Sequence, residues 1–546
     1  MGKSRLGFAV AGLSILLMAS GPASMVPVSG DPLTISGGRV AGTQLSSDVK
    51  AYLGIPFAAA PVGPSRWAPP QPVSWEGIRN ADRKGAECIQ VLRPHNINHY
   101  FGEEPTSEDC LYLNLWAPAK ADPVARLPVI VFIYGGGFTI GSSGMANYDG
   151  AALAAKGAIA INFNYRVGAL GFMAHPELTR EQGGHSGNYG LLDQIAALRW
   201  VRDNVARFGG DPDKVVIMGQ SAGASSVAAL MMSPLAKGLF RGAVMSSGCN
   251  LTTEPPALES AEAIGLQVQE RLGARSLDDM RQVPADRILA IQSESQMGAH
   301  VDGIRTGGPI RDGYVLPVAR SEALTRGAIN RVPIIATYNS DDIDLPMSPF
   351  SKVTTLADYR ALAQMVFGQD AAAFLELYPA KSDAEARAAA LRVAHDAGFA
   401  LAARQCARTM TGLGDRAYLG LFSRKHSYAP GVRFADQDPA AVGAYHTADV
   451  PFWLGTLDAY NQLRTTRNWT QADRAMADRM MGALIALARD GTPSTAAMAW
   501  PQWSPRSEAY LELGSDVTQR RYDSSRMDWL SAHPIAAERL APRPRD

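Results

Sequence analysis

The chain has 546 residues, 46% hydrophobic and 19% charged, and its 52 Lys plus Arg balance 52 Asp plus Glu to a formal net charge of zero. This composition excludes intrinsic disorder for most of the chain and gives no electrostatic ground for a nucleic-acid partner. Length alone points to roughly three or four domains, although open α/β enzymes run this long as one unit.

At the N-terminus, Lys3 and Arg5 precede an apolar run from Leu6 to Met18, followed by the small residues Ala19, Ser20, Gly21, Ala23 and Ser24. That layout predicts a secretory signal peptide over residues 1–24 and a secreted or periplasmic mature protein. The run is short for a bilayer span, and no later stretch reads as transmembrane. Export makes disulfides chemically permissible. Cys88 and Cys110 are near enough in sequence to staple the loop between them. Cys249 and Cys406 either pair across the fold or stay buried and free. The cysteine spacing does not resemble a zinc or iron–sulfur site.

Further along, Val40 to Leu53 reads as short strands at an edge. Leu127 to Tyr134 is a buried strand running straight into Gly135-Gly136-Gly137, and Ala158 to Tyr165 is another strand. Leu191 to Phe208 carries helical spacing, with Leu198, Val201 and Val205 on one side. Lys214 to Met218 is a buried strand, followed by a small-residue helix from Ala222 to Met232. Gly242 to Ser247 and Val332 to Ala336 are further strands. Pro256 to Ala299 and Leu356 to Arg408 read as helical, and Asp473 to Asp490 as a long amphipathic helix. Short β-branched runs alternating with helices predict a mostly parallel sheet covered on both faces. The absence of repeats or flexible linkers argues for one catalytic unit over residues 25–546. Helical insertions are expected around residues 256–299 and 356–408.

Gly219-Gln220-Ser221-Ala222-Gly223 lies between the strand and the small-residue helix. A Gly-x-Ser-x-Gly turn in that context exposes a serine oxygen at the sheet edge, with a helix N-terminus behind it. Ser221 is therefore the candidate nucleophile. The glycines after Tyr134 leave backbone amides free to approach a reacting carbonyl. The amides of Gly136 and Gly137, with that of Ala222, are the candidate oxyanion donors. No Gly-Lys-Ser/Thr or dinucleotide pattern follows, which argues against a phosphate-binding loop. No metal or organic cofactor is expected.

The chain resembles the type-B carboxylesterase family. The resemblance is carried by Tyr52-Leu53-Gly54-Ile55-Pro56-Phe57-Ala58, by Ser107 through Trp116 (Ser-Glu-Asp-Cys-Leu-Tyr-Leu-Asn-Leu-Trp), by Asn188 through Gln194 (Asn-Tyr-Gly-Leu-Leu-Asp-Gln), and by Phe208-Gly209-Gly210-Asp211-Pro212 before the elbow. It implies an α/β-hydrolase fold, a serine–acid–histidine triad in that chain order, and a disulfide between Cys88 and Cys110.

It also implies the remaining site residues. Val332-Pro333 leads to Asp341-Asp342 where the family has Gly-x-Asn-x-Asp-Glu-Gly. Here Thr337 replaces the first glycine, Asp342 the glutamate and Ile343 the last glycine. Asp342 is the implied acid, with Asp341 and Asp344 as rivals. An aspartate stem is one methylene shorter than glutamate, so its loop must sit closer to the histidine. His446, in Gly443-Ala444-Tyr445-His446-Thr447-Ala448-Asp449, is the implied base. Ser247 and Asp449 resemble the family's supporting polar positions. Gln220 replaces a glutamate before the nucleophile, which removes a negative charge there.

The implied substrate is a small-molecule ester, attacked through an acyl-enzyme. Small or medium esters are the default, and a specialised detoxifying esterase or a lipase acting on a bulky ester is the alternative. No tryptophan lies between Cys88 and Cys110 to stack on a quaternary ammonium. His95, His99, Tyr100 and Phe101 either line the entrance or fill that loop. Arg93 and Arg305 are candidate carboxylate receptors or plain surface arginines. A noncatalytic interaction protein is the reading from another class, and the presence of Ser221 and His446 argues against it.

Overall fold

The computed structural model describes residues 26–46, 48–102, 104–292, 307–342 and 349–535. The leader expected over 1–24, the end of the 256–299 insertion, and Arg305, Ile343 and Asp344 lie outside the described residues.

Eleven strands form the main sheet. They are β1 (Thr43–Gln44), β2 (Val49–Pro56), β3 (Tyr112–Pro118), β4 (Leu127–Ile133), β5 (Ile159–Phe163), β6 (Gly210–Gln220), β7 (Gly242–Ser246), β8 (Ile334–Asn339), β9 (Ala417–Phe422), β10 (Ala509–Leu513) and β11 (Val517–Arg521). Their spatial order is β11-β10-β9-β8-β7-β6-β4-β5-β3-β2-β1. The run from β10 to β5 is parallel throughout, and antiparallel strands close both edges. This is the α/β-hydrolase arrangement, with helices on the sheet and helical insertions between strands. β4 is buried from Pro128 to Ile133 without alternation, as a strand covered on both faces should be.

The chain order reverses beside β4. Its sequence successor β5 lies on one side and β6 on the other. Loops leaving β4 and β6 therefore diverge and open a crevice at their C-terminal ends, the place where open α/β sheets bind ligands. Gly219 of β6 pairs with Ile133 of β4, and Gln220 with Ser246 of β7. Ser246 in turn pairs with Thr337 of β8. The triple-glycine loop, the elbow and the loops after β7 and β8 thus start side by side.

Helices α1 (Tyr189–Asn204), α2 (Ala222–Met232), α3 (Leu258–Leu272), α4 (Asp383–His395), α5 (Leu401–Gly412) and α6 (Gln471–Asp490) matter most to the site. α2 and α6 both pack on β4 and β6. α6 starts two residues earlier than its apolar pattern suggests. Thr470 accepts the Asp473 amide proton and Asp473 accepts that of Thr470, so a capping box fixes the start. The helix expected over 191–208 ends at Asn204 and tightens into a 3₁₀ turn. The strand expected from Val332 begins at Ile334, after Pro333, which has no amide to give a ladder.

Both cysteine pairs are bonded, Cys88 to Cys110 and Cys249 to Cys406. Two disulfides indicate an oxidising, non-cytoplasmic environment. No helix among the described residues is long and apolar enough to cross a membrane.

Candidate active site

Ser221 sits at the sharp turn between β6 and α2 with φ 57° and ψ −125°, a backbone state that bulky surroundings must enforce. Its amide donates to Ser246 O at 2.8 Å. A Cβ at Gly219 would collide with the carbonyl group of Gly223, and one at Gly223 with the carbonyl of Ile133. Only glycine allows β6, the turn and α2 to pack this closely. α2 is buried along its length except at Ser225, four residues after Ser221.

The glycine loop after β4 is pinned by two aromatic residues that sequence reasoning missed. Tyr134 and Tyr165 stack with centroids 4.4 Å apart, and each hydroxyl donates to the other's carbonyl at 2.9 Å. Gly136 and Gly137 then take φ of 119° and 62°, turning their peptides over the elbow. Ala222 is the first residue of α2, where backbone amides lack intrahelical acceptors. Gln90, from the Cys88–Cys110 loop, donates to Gly141 O at 2.9 Å and accepts from Gly141 N at 2.7 Å, tying the disulfide loop to the far end of the glycine turn.

His446 and Asp342 are both buried, and His446 Nδ1 lies 2.7 Å from Asp342 Oδ1. The second carboxylate oxygen of Asp342 accepts from Ser247 Oγ at 2.8 Å and Asn339 N at 2.7 Å. These donors fix the carboxylate in place. Gln220 Nε2 lies 3.2 Å from His446 Nε2, so with the ring proton on Nδ1 the amide donates to the opposite nitrogen. Asp341 performs a different task. Its carboxylate accepts from Ala444 N at 2.9 Å and Ser340 Oγ at 2.6 Å, bracing the histidine loop. Gly443 belongs to that brace, since a Cβ there would occupy the space of the Asp341 carboxylate.

Asp449 accepts from Ser246 Oγ at 2.5 Å, Trp453 Nε1 at 3.1 Å and Asn339 Nδ2 at 3.3 Å. Burial, more than the nearby Asp342 charge, pushes its carboxyl above the usual range. Another contact was illegible in the sequence. A π-helical turn over Asp396–Ala400 presents Phe399, whose ring stacks on His446 at 5.4 Å and 16°.

A second missed cluster supports the histidine loop. Arg467 is buried over the Tyr428 ring at 4.1 Å. It donates to His426 Nδ1 at 3.1 Å and to Asn98 Oδ1 at 2.5 Å. His426 Nε2 donates to Ala448 O at 2.8 Å, and His99 Nε2 meets Thr447 Oγ1 at 2.6 Å. Of the loop residues in question, His99 thus touches the residue after His446. Phe101 packs on Tyr460, and His95 stacks on Tyr100. Arg93 is buried beside Met145 and is no surface arginine. Among the described residues, no three His, Cys, Asp or Glu side chains form a metal-binding group.

Burial, reinforced by the Arg467 charge, pushes the His426 ring well below its ordinary value and His99 down to about 3. Both rings stay neutral when folded, whereas the unfolded chain takes up their protons near pH 6.5. The unfolded state then binds more protons, so stability falls as pH drops below 6.5. The limit is about 1.4 kcal/mol per pH unit for each ring. Urea midpoints measured from pH 7.5 to 5.5 should therefore decline; a flat profile would contradict neutral burial of this pair.

Comparison with known proteins finds matches over most of the chain. The model of the carboxylesterase family matches residues 30–529. The chain is 36% identical over 512 residues to a fumonisin B1 esterase of Sphingopyxis macrogoltabida, covering 91% of this chain and 89% of that protein. It is 32% identical over 491 residues to a para-nitrobenzyl esterase of Bacillus subtilis (strain 168), covering 89% and 95%. A solved PNB esterase structure superposes with a TM-score of 0.73 at 29% identity, over 93% of this chain and 99% of that one.

Proposed function

Because the chain belongs to the carboxylesterase family, and is thus a serine-hydrolase-type carboxylesterase acting on small-molecule esters, we propose that Ser221, His446 and Asp342 are its nucleophile, base and acid. The observation that carries the reading is the 2.7 Å bond from His446 to Asp342, beside a serine on a strand–turn–helix elbow. His446 takes the Ser221 proton as Oγ attacks the ester carbonyl. Asp342 holds the ring tautomer and stabilises the imidazolium. The amides of Gly136, Gly137 and Ala222 receive the oxyanion. The tetrahedral intermediate expels the alcohol, which takes the proton from His446 and leaves an acyl-Ser221. His446 then deprotonates water, and the second collapse releases the acid and restores the serine.

Gln220, Ser247 and Asp449 are supporting residues. Gln220 adds no charge beside the imidazole, Ser247 orients Asp342, and Asp449 braces the ends of β7 and β8 through Ser246 and Asn339. Residues 25–546 act as one catalytic unit, secreted or delivered to the periplasm once 1–24 are removed. Covalent trapping of the serine by a fluorophosphonate tests the assignment.

A second reading, a specialised esterase for a bulky ester, is favoured by one feature. A cavity of about 380 Å³ opens beside Ser225 and Phe138, large for a short acyl chain. The likeness to a fumonisin B1 esterase points the same way.

A further inference from the structure

The cavity beside the elbow has a mixed lining. Phe138, Phe172, Ile264 and Ile310 give its lining apolar surface. Ser225, Asn250, Glu254 and Arg320 give it polar groups. Arg320 is 3% exposed, yet among the described residues no carboxylate lies within ion-pair distance of its guanidinium. Nη1 donates to Asn250 O, while Nε is buried with no hydrogen-bond partner among the described residues. Burying a cation without an ion-pair partner leaves its lost hydration uncompensated. Burial lowers its pKa to about 10, so it remains charged at neutral pH.

Glu254 attracts it at longer range but makes no ion pair with the guanidinium. One Glu254 oxygen accepts from the Arg320 backbone amide at 2.8 Å, and the other from Ser321 N at 2.8 Å and Ser321 Oγ at 2.6 Å. That carboxylate is exposed and screened by water, whereas the guanidinium is not. Asn250 links the cation to the elbow: it accepts from Arg320, and its Nδ2 donates to Ser225 Oγ at 3.2 Å, one helical turn from Ser221. Asn250 Oδ1 is also buried without a partner among the described residues and suits a ligand hydroxyl or amide proton, but it carries no charge. The guanidinium sets the ligand class.

We propose that this cavity is a substrate subsite for an ester arm that ends in a carboxylate, received by Arg320 while the apolar lining residues pack against the arm. The inference rests on Ser221 being the nucleophile, because the cavity counts as a subsite only by adjoining it. An arginine fork answers a carboxylate with charge-assisted hydrogen bonds, which neither a solvated lysine nor a neutral amide matches.

The test compares 4-nitrophenyl hydrogen adipate with 4-nitrophenyl hexanoate, and 3-(hexanoyloxy)benzoate with phenyl hexanoate, so that each arm carries the carboxylate in turn. Fluorophosphonate titration normalises each preparation to competent sites. In the native protein, kcat/KM for the charged member of one pair should exceed its neutral partner by about tenfold or more, mainly through KM. Arg320→Gln should bring that ratio to unity or below, and Arg320→Lys should keep part of it. A native ratio at or below unity in both pairs, or one unchanged by Arg320→Gln, overturns the proposal. Should the variants fail to fold, adipate must inhibit neutral-ester hydrolysis by the native protein at lower concentration than 1,6-hexanediol; equal or weaker inhibition also overturns it. Turnover of the neutral esters reports on the catalytic reading separately, since it needs Ser221 and not Arg320.

Discussion

Ser221→Ala is expected to lower kcat/KM for ester hydrolysis by about 10⁴-fold or more while leaving the thermal midpoint nearly unchanged. Hydrolysis through an acyl-enzyme has no route without the oxygen that forms the ester bond. The substitution keeps the backbone amide that bonds Ser246 O and adds no atom to the crowded elbow. The residual rate would come from the oxyanion donors and substrate binding alone. Steady-state kinetics alongside a melting curve checks both halves. A variant that keeps a tenth of the native rate would exclude Ser221 as nucleophile. A variant that unfolds would say that the hydroxyl has a structural role not accounted for by the bonds around it.

The neighbouring acids separate by mutation. Asp342→Asn should cost about 10⁴-fold in kcat, because an amide no longer holds the Nδ1 proton and stabilises the imidazolium. The substitution also misplaces an NH₂ group against the donors Ser247 Oγ and Asn339 N when that group occupies their side. Asp341→Asn should instead cost about 1–3 kcal/mol of stability, since its carboxylate bonds Ala444 N and Ser340 Oγ, with kcat held within about tenfold. Kinetics and urea unfolding of both variants decide the matter. An inactive Asp341 variant beside an active Asp342 variant would move the acid to Asp341.

The contrast between these two acids shows where sequence reading had purchase. The elbow was legible because its chemistry is local: strand, Gly-x-Ser-x-Gly and helix are contiguous, and close packing forces glycine at Gly219 and Gly223. Asp342 was singled out through family resemblance alone, since adjacent aspartates have the same chemistry and only the loop's path decides which one meets the ring. The shorter aspartate stem still reaches His446, at 2.7 Å. Cys249 and Cys406 were left open between pairing and remaining free, and the fold bonds them across 157 positions.

Other features were illegible for physical reasons. In β3, Asn114 interrupts an apolar run. It proves to be a buried bridge, accepting from Gly54 N at 3.0 Å and donating to Asn162 Oδ1 at 2.9 Å. β9 was not picked out, and it carries Gly420, where a side chain would meet Trp500. β11 at the sheet edge is largely exposed and lacks the apolar signal. Phe399, Arg320 and the Arg467 cluster act through contacts between segments far apart in the chain. No local spacing announces a ring stacked on His446 or a buried cation lining a cavity. Arg93 resembled a surface residue for the same reason, its burial coming from the fold around Met145.

The central claim is that ester hydrolysis passes through a covalent bond to Ser221, made possible by His446 held on Asp342. The most direct measurement is intact-mass and peptide mass spectrometry of the native protein after reaction with a fluorophosphonate. The account predicts one adduct per chain, on the peptide carrying Ser221, with loss of ester turnover in proportion to labelling, and greatly slowed labelling in Asp342→Asn. An adduct on another residue, or full turnover by a chain labelled at Ser221, would contradict it.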